Sequence, residues 1–344
     1  MSKIRTPPPN RPGPQRITFL IVPRFNMATL ITLIEPLRVA NYLAPEPLYG
    51  WEIASFDGAE IAASNGLTMR AAPPDDRNRR GELVFVLASW GAETYQNRDT
   101  QSWLRRQSRD GARLCPVELG SYLVARAGLL SSRATAIHWS WAPGFQEQFA
   151  AVPVVEQLYT TESLSCAGGL AGVDLMLDLI ARAHGAAFAG EVADQMLTPP
   201  ARAPSAPQRR TQASDSLPDP VRRAVALIEA NIAEPLTVPD IAATLGLSQR
   251  QLERQFRAAM GCTVVQFATL IRLQHARVLL ISTRLSVRDI AAASGFNTLS
   301  HFAHAFGRHF NRRPSDYRQG WPEGAPTPSW PGTLAAFLER RSAS

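Results

Sequence analysis

A nine-residue pattern that occurs twice, 49 residues apart, restricts the fold of this chain more than any other feature. The copies are Val238–Gly246 and Val287–Gly295, and both keep Asp, Ile, Ala, Ala and Gly in the same places. Apolar residues at helical spacing, followed by Gly and a second amphipathic segment, are typical of a helix-turn-helix. We therefore expect an all-α domain over residues 217–320 that contains two such motifs.

The start and turn of each motif carry specific signals. Thr237-x-x-Asp240 and Ser286-x-x-Asp289 match a capping box, in which hydroxyl and carboxylate satisfy free backbone N–H groups. The two glycines are expected in left-handed turns, where a Cβ is costly. Ser248 and Asn297 are then the predicted caps of the two second helices.

The second helix of each motif is the candidate DNA-reading element. Aromatic and aliphatic residues at helical spacing are predicted to face the core, namely Leu252 and Phe256, then Phe302, Phe306 and Phe310. The other positions are the candidate DNA contacts: Gln249, Arg250, Glu253, Arg254 and Arg257 in the first motif, and Thr298, Leu299, Ser300, His301, His304 and Arg308 in the second. Because Arg and Gln read guanine and adenine edges, the first motif is expected to supply most hydrogen-bonded specificity. The second is expected to use methyl contacts, DNA shape and phosphates.

The segment between the motifs, residues 264–283, is predicted to be one helix with Phe267, Leu270, Ile271, Gln274, Val278 and Ile281 near one face. Twenty residues at ~1.5 Å each span ~30 Å. Recognition helices that enter successive major grooves lie ~34 Å apart. One chain is therefore expected to span two groove sites.

The charge distribution separates the two parts of the chain. Residues 217–320 hold 13 Arg and 7 Asp or Glu, whereas residues 16–200 hold 15 Arg and 19 Asp or Glu. The excess of positive charge in the motif region fits phosphate binding, although a solvated basic face would give the same pattern.

Residues 217–320 resemble the DNA-binding domain of the AraC/XylS family of transcription regulators. The matching segments are Asp240-Ile241-Ala242, Gly246-Leu247-Ser248, Leu252-x-x-x-Phe256, Arg272-Leu273-x-x-Ala276-Arg277, Asp289-Ile290-Ala291, Gly295-Phe296 and Pro314-x-x-Tyr317-Arg318. Asn311-Arg312-Arg313 departs from the small residues usual in the family. The resemblance implies promoter DNA and RNA polymerase as partners, and a homodimer.

Further segments are predicted on both sides of this DNA-binding domain, and one of them is a second domain. Residues 1–15 read as a disordered leader, 198–216 as a Pro-rich flexible linker and 321–344 as a Pro-rich tail. In residues 16–197, β-rich apolar runs such as Leu83–Ala88 alternate with helical patterns such as Met27–Leu43. That alternation predicts an α/β domain with a flavodoxin-like parallel sheet.

Loops that follow strands of a parallel sheet meet at one edge, where ligands bind. Here they are Phe25–Met27, Ala88–Gly91, Glu118–Gly120 and His138–Trp139. Residues 16–197 also resemble the PfpI-like, class I glutamine-amidotransferase-like domain found in one branch of the same family. That resemblance is carried by Phe25–Met27, Glu35-Pro36-Leu37-Arg38, Ala127-Gly128-Leu129-Leu130, Thr135-x-x-His138-Trp139, Cys166-Ala167-Gly168-Gly169 and Asp174-Leu175-Met176.

In enzymes of that superfamily a nucleophilic Cys occupies a strained turn after a central strand. The matching turn here is Val117-Glu118-Leu119-Gly120, so Glu118 stands in the place of the thiol. Cys115 and Cys166 are expected to pack in the core. We therefore expect no catalytic residue, and treat a hydrolase or amidotransferase with an accessory DNA-binding domain as the alternative.

A ligand-sensing role is the hypothesis for this domain. Glu118, on a turn expected to be exposed, is predicted to bind a cationic ligand, with aromatic faces from Phe25, Trp90 and Trp139 and with His138 beside them. The resemblance implies effectors such as arginine, glycine betaine or carnitine-like amines. The alternative is that Glu118 is a solvated turn residue and the tryptophans are core.

The remaining features narrow the class of protein. Three cysteines make neither a disulfide framework nor a metal cluster, and no carboxylate or Cys accompanies His301 and His304. No signal peptide and no apolar run of ~20 residues is present in the sequence. We expect a cytoplasmic regulator without metal or cofactor; a general architectural DNA binder is the second alternative.

Overall fold

The computed structural model describes residues 13–74, 82–130, 134–208, 217–283 and 285–318. The chain divides into two compact units at Arg209 and Arg210, called here the α/β unit and the helical unit. Most of the predicted leader, residues 209–216 of the predicted linker and the whole predicted tail lie outside the described residues.

The α/β unit contains a central sheet with helices around it. Its strands are β1 (Gln15–Ile21), β2 (Tyr49–Ala54), β3 (Glu60–Ala62), β4 (Thr68–Arg70), β5 (Leu83–Ala88), β6 (Arg113–Glu118), β7 (Thr135–Ala136), β8 (Val154–Val155), β9 (Tyr159–Thr160) and β10 (Ser165–Cys166). Its helices are α1 (Met27–Leu43), α2 (Arg98–Arg109), α3 (Gly120–Arg126), α4 (Ala142–Gln148), α5 (Ala171–His184) and α6 (Ala186–Gln195).

The strand order β2-β1-β5-β6-β10-β9 confirms the predicted flavodoxin-like sheet. The first five strands in this spatial order, from β2 to β10, run parallel, and β9 pairs antiparallel with β10. β5 is buried along its whole length, as expected for a central strand covered on both faces. The parallel arrangement places the carboxyl ends of β1, β5 and β6 at one edge.

Several short elements depart from the sequence prediction. The apolar run 154–159 is predicted from the sequence as one strand, but it contains β8 and only the first residue of β9. The β3–β4 hairpin, α4 and β10 are not predicted from the sequence. Two-residue strands give no periodic signal, so their formation depends on tertiary pairing such as that of Cys166 with Val117.

Residues 198–208 are predicted to belong to a flexible linker, but in the structure they pack on the α/β unit. Arg202 forms a two-pronged ion pair with Asp174, with Nη2 and Oδ2 2.6 Å apart, and the Arg202 carbonyl accepts from the Tyr159 hydroxyl. Gln208 donates to the Ile137 and Gln157 carbonyls and accepts from the Trp139 amide. Through these contacts the segment is held against the α/β unit, whereas a flexible linker would be surrounded by solvent.

The helical unit is all-α, as predicted. Its helices are α7 (Asp219–Ala230), α8 (Val238–Thr244), α9 (Gln249–Met260), α10 (Val264–Ser282), α11 (Val287–Ala293), α12 (Leu299–Phe310) and α13 (Pro314–Arg318). α7 has no counterpart in the prediction, although Val221, Ala224 and Ile228, all buried, lie at helical spacing.

Two cores share the long helix α10, which confirms the predicted connecting helix. Phe267 packs in the first core with Leu252 and Phe256, while Leu273 and Ala276 pack in the second with Phe302 and Phe306. We call the parts around these cores the first half and the second half of the helical unit.

The buried face of α10 differs in part from the predicted one. Leu273, Ala276 and Leu280 are buried in the second half, together with the whole Arg277 side chain, whose Nε donates to the Tyr317 hydroxyl over 2.7 Å. Residues 264–281 of this helix are long and apolar enough to cross a membrane, but half of that window is buried inside the unit. Its apolar character is therefore accounted for by the two cores.

The helix caps follow the sequence signals with one exception. Thr237 with Asp240 and Ser286 with Asp289 form capping boxes, and Ser248 caps α9. The predicted cap at Asn297 is wrong, because the Thr298 hydroxyl accepts from the His301 amide and caps α12.

Candidate functional site

The candidate effector site is built on the sharp turn between β6 and α3. Glu118 adopts the left-handed conformation there, with φ of 53°, which costs free energy in a non-glycine residue. Gly120 makes the turn possible, since a Cβ on it would lie 1.8 Å from the Val86 carbonyl oxygen. This is the geometry of a nucleophile elbow, with a carboxylate where the nucleophile would be.

The predicted exposure of Glu118 is wrong: the side chain is only 5% exposed. Its Oε1 accepts from Asn26 Nδ2 at 2.8 Å, from Thr29 Oγ1 at 2.5 Å and from the Gly169 amide at 3.3 Å. Gly168 lies so close that a Cβ on it would be 1.9 Å from Glu118 Cγ. The turn is covered because the first residues of α1 and the loop before α5 fold over it.

The carboxylate is held by hydrogen bonds without a matching cation. Burial raises the pKa of Glu118, while the hydrogen bonds from Thr29, Asn26, Ser89 and Gly169 act in the opposite direction. Among the residues that the structure describes, no Arg or His side chain forms an ion pair with it. An uncompensated buried carboxylate favours any bound cation that can reach it.

The aromatic residues near this edge are arranged in pairs. Trp90, after β5, packs edge-on against Trp141 with centroids 5.5 Å apart, and His138 stacks on Trp139 at 5.7 Å. Trp141, which is not among the predicted ligand-binding residues, follows the His138–Trp139 loop, and its contact with Trp90 connects that loop with the Ala88–Gly91 loop. Phe25 does not offer the predicted aromatic face, because it is fully buried in the core.

His138 is neutral over the physiological range. Its Nδ1 lies 2.8 Å from Ser140 Oγ, and burial lowers its pKa to about 4. A neutral imidazole is compatible with a cationic ligand nearby.

The thiols of the α/β unit are not positioned as nucleophiles. Cys115 and Cys166 are fully buried. Desolvation raises the pKa of Cys115 well above its usual range and that of Cys166 to about 12, so both remain protonated. This agrees with the prediction that both pack in the core.

One acidic residue of the rim was missed by the sequence analysis. Glu93, in the loop after β5, is half-buried, its Oε2 has no hydrogen-bond partner, and burial raises its pKa. Arg126 of α3 holds the same loop by donating to the Ala92 and Tyr95 carbonyls at 2.7 Å. A loop residue without periodic neighbours gives no sequence signal of this kind.

The first candidate DNA-reading helix, α9, presents the predicted polar surface. Leu252 and Phe256 are buried, while four of the predicted contact residues are exposed: Gln249, Arg250, Arg254 and Arg257. Glu253 differs, because it is half-buried and its Oε2 is shielded from solvent. The exposed face is therefore more basic than the sequence pattern indicates.

The second candidate helix, α12, has a less charged surface. Phe302 and Phe306 are buried and Phe310 is half-buried, whereas the predicted contact residues are all exposed: Thr298, Leu299, Ser300, His301, His304 and Arg308. Leu299 keeps 41% of its surface exposed, an apolar side chain at the start of a recognition helix. Exposed aliphatic groups at this position suit contact with thymine methyl groups.

Two exposed recognition helices on a shared scaffold, preceded by an α/β unit, define a helix-turn-helix DNA-binding transcription regulator. A family model described as "Helix-turn-helix domain" matches residues 241–320. The chain is 34% identical to the HTH-type transcriptional regulator GbdR of Pseudomonas aeruginosa, covering 93% of this chain and 88% of the relative. It is 36% identical to GlxA of Rhizobium meliloti, covering 89% and 96%.

The chain belongs to the AraC/XylS family of transcription regulators, and these relatives match it along both the α/β unit and the helical unit. Among solved structures, it is similar to an AraC family transcriptional regulator from Pseudomonas putida, with 23% identity and a TM-score of 0.49 over 54% of this chain and 100% of the other.

Proposed function

We propose that this regulator is sequence-specific and responds to a small cationic metabolite, an amino acid or quaternary amine, bound by its α/β unit. The recognition helices α9 and α12 contact promoter DNA through the exposed residues described above. The regulator acts in the cytoplasm as a homodimer and addresses RNA polymerase.

The observation that carries the effector class is the buried Glu118 carboxylate, which has three hydrogen-bond donors on Oε1 and no ion-pair partner among the described residues. A cationic ligand would supply the missing charge in a region of low dielectric, where ion pairing is stronger than in water. Trp90 and Trp139, both half-buried, add aromatic surface, which attracts quaternary ammonium groups.

A thermal-shift experiment tests this proposal. The full chain is heated with a panel of amino acids and quaternary amines, each compared with a neutral analogue of the same shape. A ligand at 100 times its Kd stabilises the folded state by about 2.7 kcal/mol. We expect at least one cationic compound to raise the melting temperature while its neutral analogue does not.

Two variants connect the response to the site. Glu118→Gln keeps the acceptor for Asn26, Thr29 and Gly169 but removes the charge, so it should lose the response to the cation. Glu60→Gln, at an exposed position of β3, is the matched control and should keep it. A panel without any stabilising amine, or a full response in Glu118→Gln, contradicts the proposed effector class.

A further inference from the structure

The two helix-turn-helix motifs have the same glycine in different surroundings. Gly246 and Gly295 both adopt left-handed conformations, with φ of 70° and 72°. Gly246 is exposed, and a Cβ on it would meet nothing within 4 Å. Gly295 is buried, and a Cβ on it would lie 2.3 Å from the Ile232 carbonyl oxygen and 2.7 Å from Pro235 Cγ. The backbone geometry therefore explains a glycine at both positions, but only Gly295 also requires the absence of a side chain.

The atoms that crowd Gly295 belong to the other half of the helical unit. Ile232 and Pro235 lie in the connection between α7 and α8, which form part of the first half. Gly295 lies in the turn between α11 and α12 of the second half. This close approach is thus a direct backbone contact between the two DNA-reading halves, separate from their shared helix α10.

The same turn is also held from the side of α10. Arg272 Nη1 donates to the Gly295 carbonyl at 2.9 Å, and its guanidinium lies 4.7 Å from the centroid of the Phe296 ring. Ser294, fully buried, lies with its Oγ 3.1 Å from His275 Nδ1. Three successive turn residues are therefore fixed by α10, and one of them is also pressed against the first half.

The position of this turn determines the position of a recognition helix. Thr298, only three residues after Gly295, caps α12. A shift of the turn away from the first half would therefore move α12 relative to α9. The two half-sites are the groove sites that α9 and α12 of one chain contact. Because successive base pairs are ~3.4 Å apart, a displacement of a few ångströms at the DNA surface changes which spacing between these half-sites fits the protein.

We propose that Gly295 is a positioning residue for DNA recognition. Its missing side chain lets the second motif rest on the Ile232–Pro235 segment of the first half, and this contact, locked by Arg272, fixes the separation of the two recognition helices. The fixed separation makes the protein selective for one spacing between the two half-sites.

The experiment measures spacing preference with the full chain. Binding sites are first selected from random DNA, and duplexes are then made in which the two half-sites are moved apart or together by one and two base pairs. Dissociation constants are measured by fluorescence anisotropy for the unmodified chain, Gly246→Ala and Gly295→Ala. Both variants place a Cβ at nearly the same φ, so the left-handed strain is matched.

The expected result is a change in relative affinities. Gly246→Ala should keep the spacing ratio of the unmodified chain even if all affinities fall together. Gly295→Ala should lower the ratio between the selected spacing and its neighbours about tenfold, within the range of one lost base contact. A Gly295→Ala chain that is folded, by circular dichroism, and keeps the original ratio overturns the proposal.

A second variant decides the matter if Gly295→Ala does not fold. Arg272→Met keeps an unbranched apolar stem but removes the hydrogen bond to the Gly295 carbonyl and the contact with Phe296. It should flatten the spacing preference while each isolated half-site is still bound. An unchanged spacing ratio in folded Arg272→Met overturns the proposal.

Discussion

At the scale of single residues, Glu118 shows how a side chain can be retained at a cost to stability. It is buried, its backbone is left-handed, and the raised pKa means that the folded state holds its proton more tightly than the unfolded chain does. A group of this kind contributes most to stability below its unfolded pKa, and that contribution is lost as pH rises through the folded value. Residues that reduce stability in this way are concentrated at functional sites.

Replacement of Glu118 by Gln is therefore expected to stabilise the α/β unit at neutral pH. Each kcal/mol gained should raise the melting temperature of a unit of this size by about 2–4 °C, and the gain should disappear in acid, where the native carboxyl is protonated. Tryptophan fluorescence monitors the transition, because five of the seven Trp residues lie within residues 16–200. A lower melting temperature for Glu118→Gln at pH 8, with Glu60→Gln unchanged, would contradict this prediction.

The residue scale also shows where sequence reasoning ends. The turn at Glu118 and the left-handed glycines were predictable, because they depend on local geometry. The burial of Glu118 was not, because it is produced by Thr29 and Gly169, which are distant in sequence. Likewise, Asn297 and Thr298 are both good capping residues, and only the path of the chain selects Thr298.

At the scale of elements, long periodic segments agree with prediction and short ones do not. Met27–Leu43 and Leu83–Ala88 have the predicted bounds, and α10 differs from its prediction only at the C-terminal end. β10 is only two residues long, so its place in the sheet depends on pairing with β6 and β9. The docking of residues 198–208 was missed for a related reason: Pro-rich composition indicates an extended chain but not what the chain packs against.

The ion pair between Arg202 and Asp174 holds that docked segment. Arg202→Ala should destabilise the α/β unit by about 2 kcal/mol, since Asp174 is 6% exposed and would lose two charge-assisted hydrogen bonds. The estimate is below that for a fully buried pair because the Arg202 side chain is 39% exposed. Denaturant unfolding measures the change in free energy, and proteinase K should cleave residues 198–208 faster.

A matched control lies on the same helix. Arg182 pairs with Asp178 on α5, with its side chain 58% exposed, and Arg182→Ala should cost less than about 0.5 kcal/mol. Equal destabilisation by the two variants, or unchanged cleavage of residues 198–208 in Arg202→Ala, would show that the ion pair does not hold the segment.

At the scale of the whole molecule, the positive charge is concentrated where DNA is read. Residues 217–320 carry a net charge of +6, while residues 16–200 carry −4. Because the net charges are opposite, we expect nonspecific phosphate binding to be confined to the helical unit, and salt to weaken DNA binding through that unit alone.

Arg308→Ala tests the origin of the salt dependence. Arg308 is exposed near the end of α12, where phosphate contact is expected, so its loss should reduce the slope of log K against log salt by about 0.9. Arg98→Ala, exposed at the start of α2 in the α/β unit, should leave the slope unchanged. Anisotropy titrations at several salt concentrations measure both slopes, and equal slopes for all three proteins would contradict the prediction.

Arg254→Ala gives the contrasting result for a base contact. Arg254 is exposed on α9, and its loss should cost ~1–3 kcal/mol against particular bases while other sequences lose little. A competition assay against duplexes with single base changes measures this. A uniform loss across all duplexes would instead identify Arg254 as a phosphate contact.

The shared helix α10 has a consequence for how such a protein can diverge. Its N-terminal part completes the first core and its C-terminal part completes the second, so neither half of the helical unit is a self-contained module. A chain that ended after α10 would lack the rest of the second half and would leave the apolar face around Leu273 and Ala276 without cover, which favours misfolding or aggregation. We therefore expect new specificity to arise by substitutions on the surfaces of α9 and α12, or by exchange of the helical unit as a whole, and not by recombination between its halves.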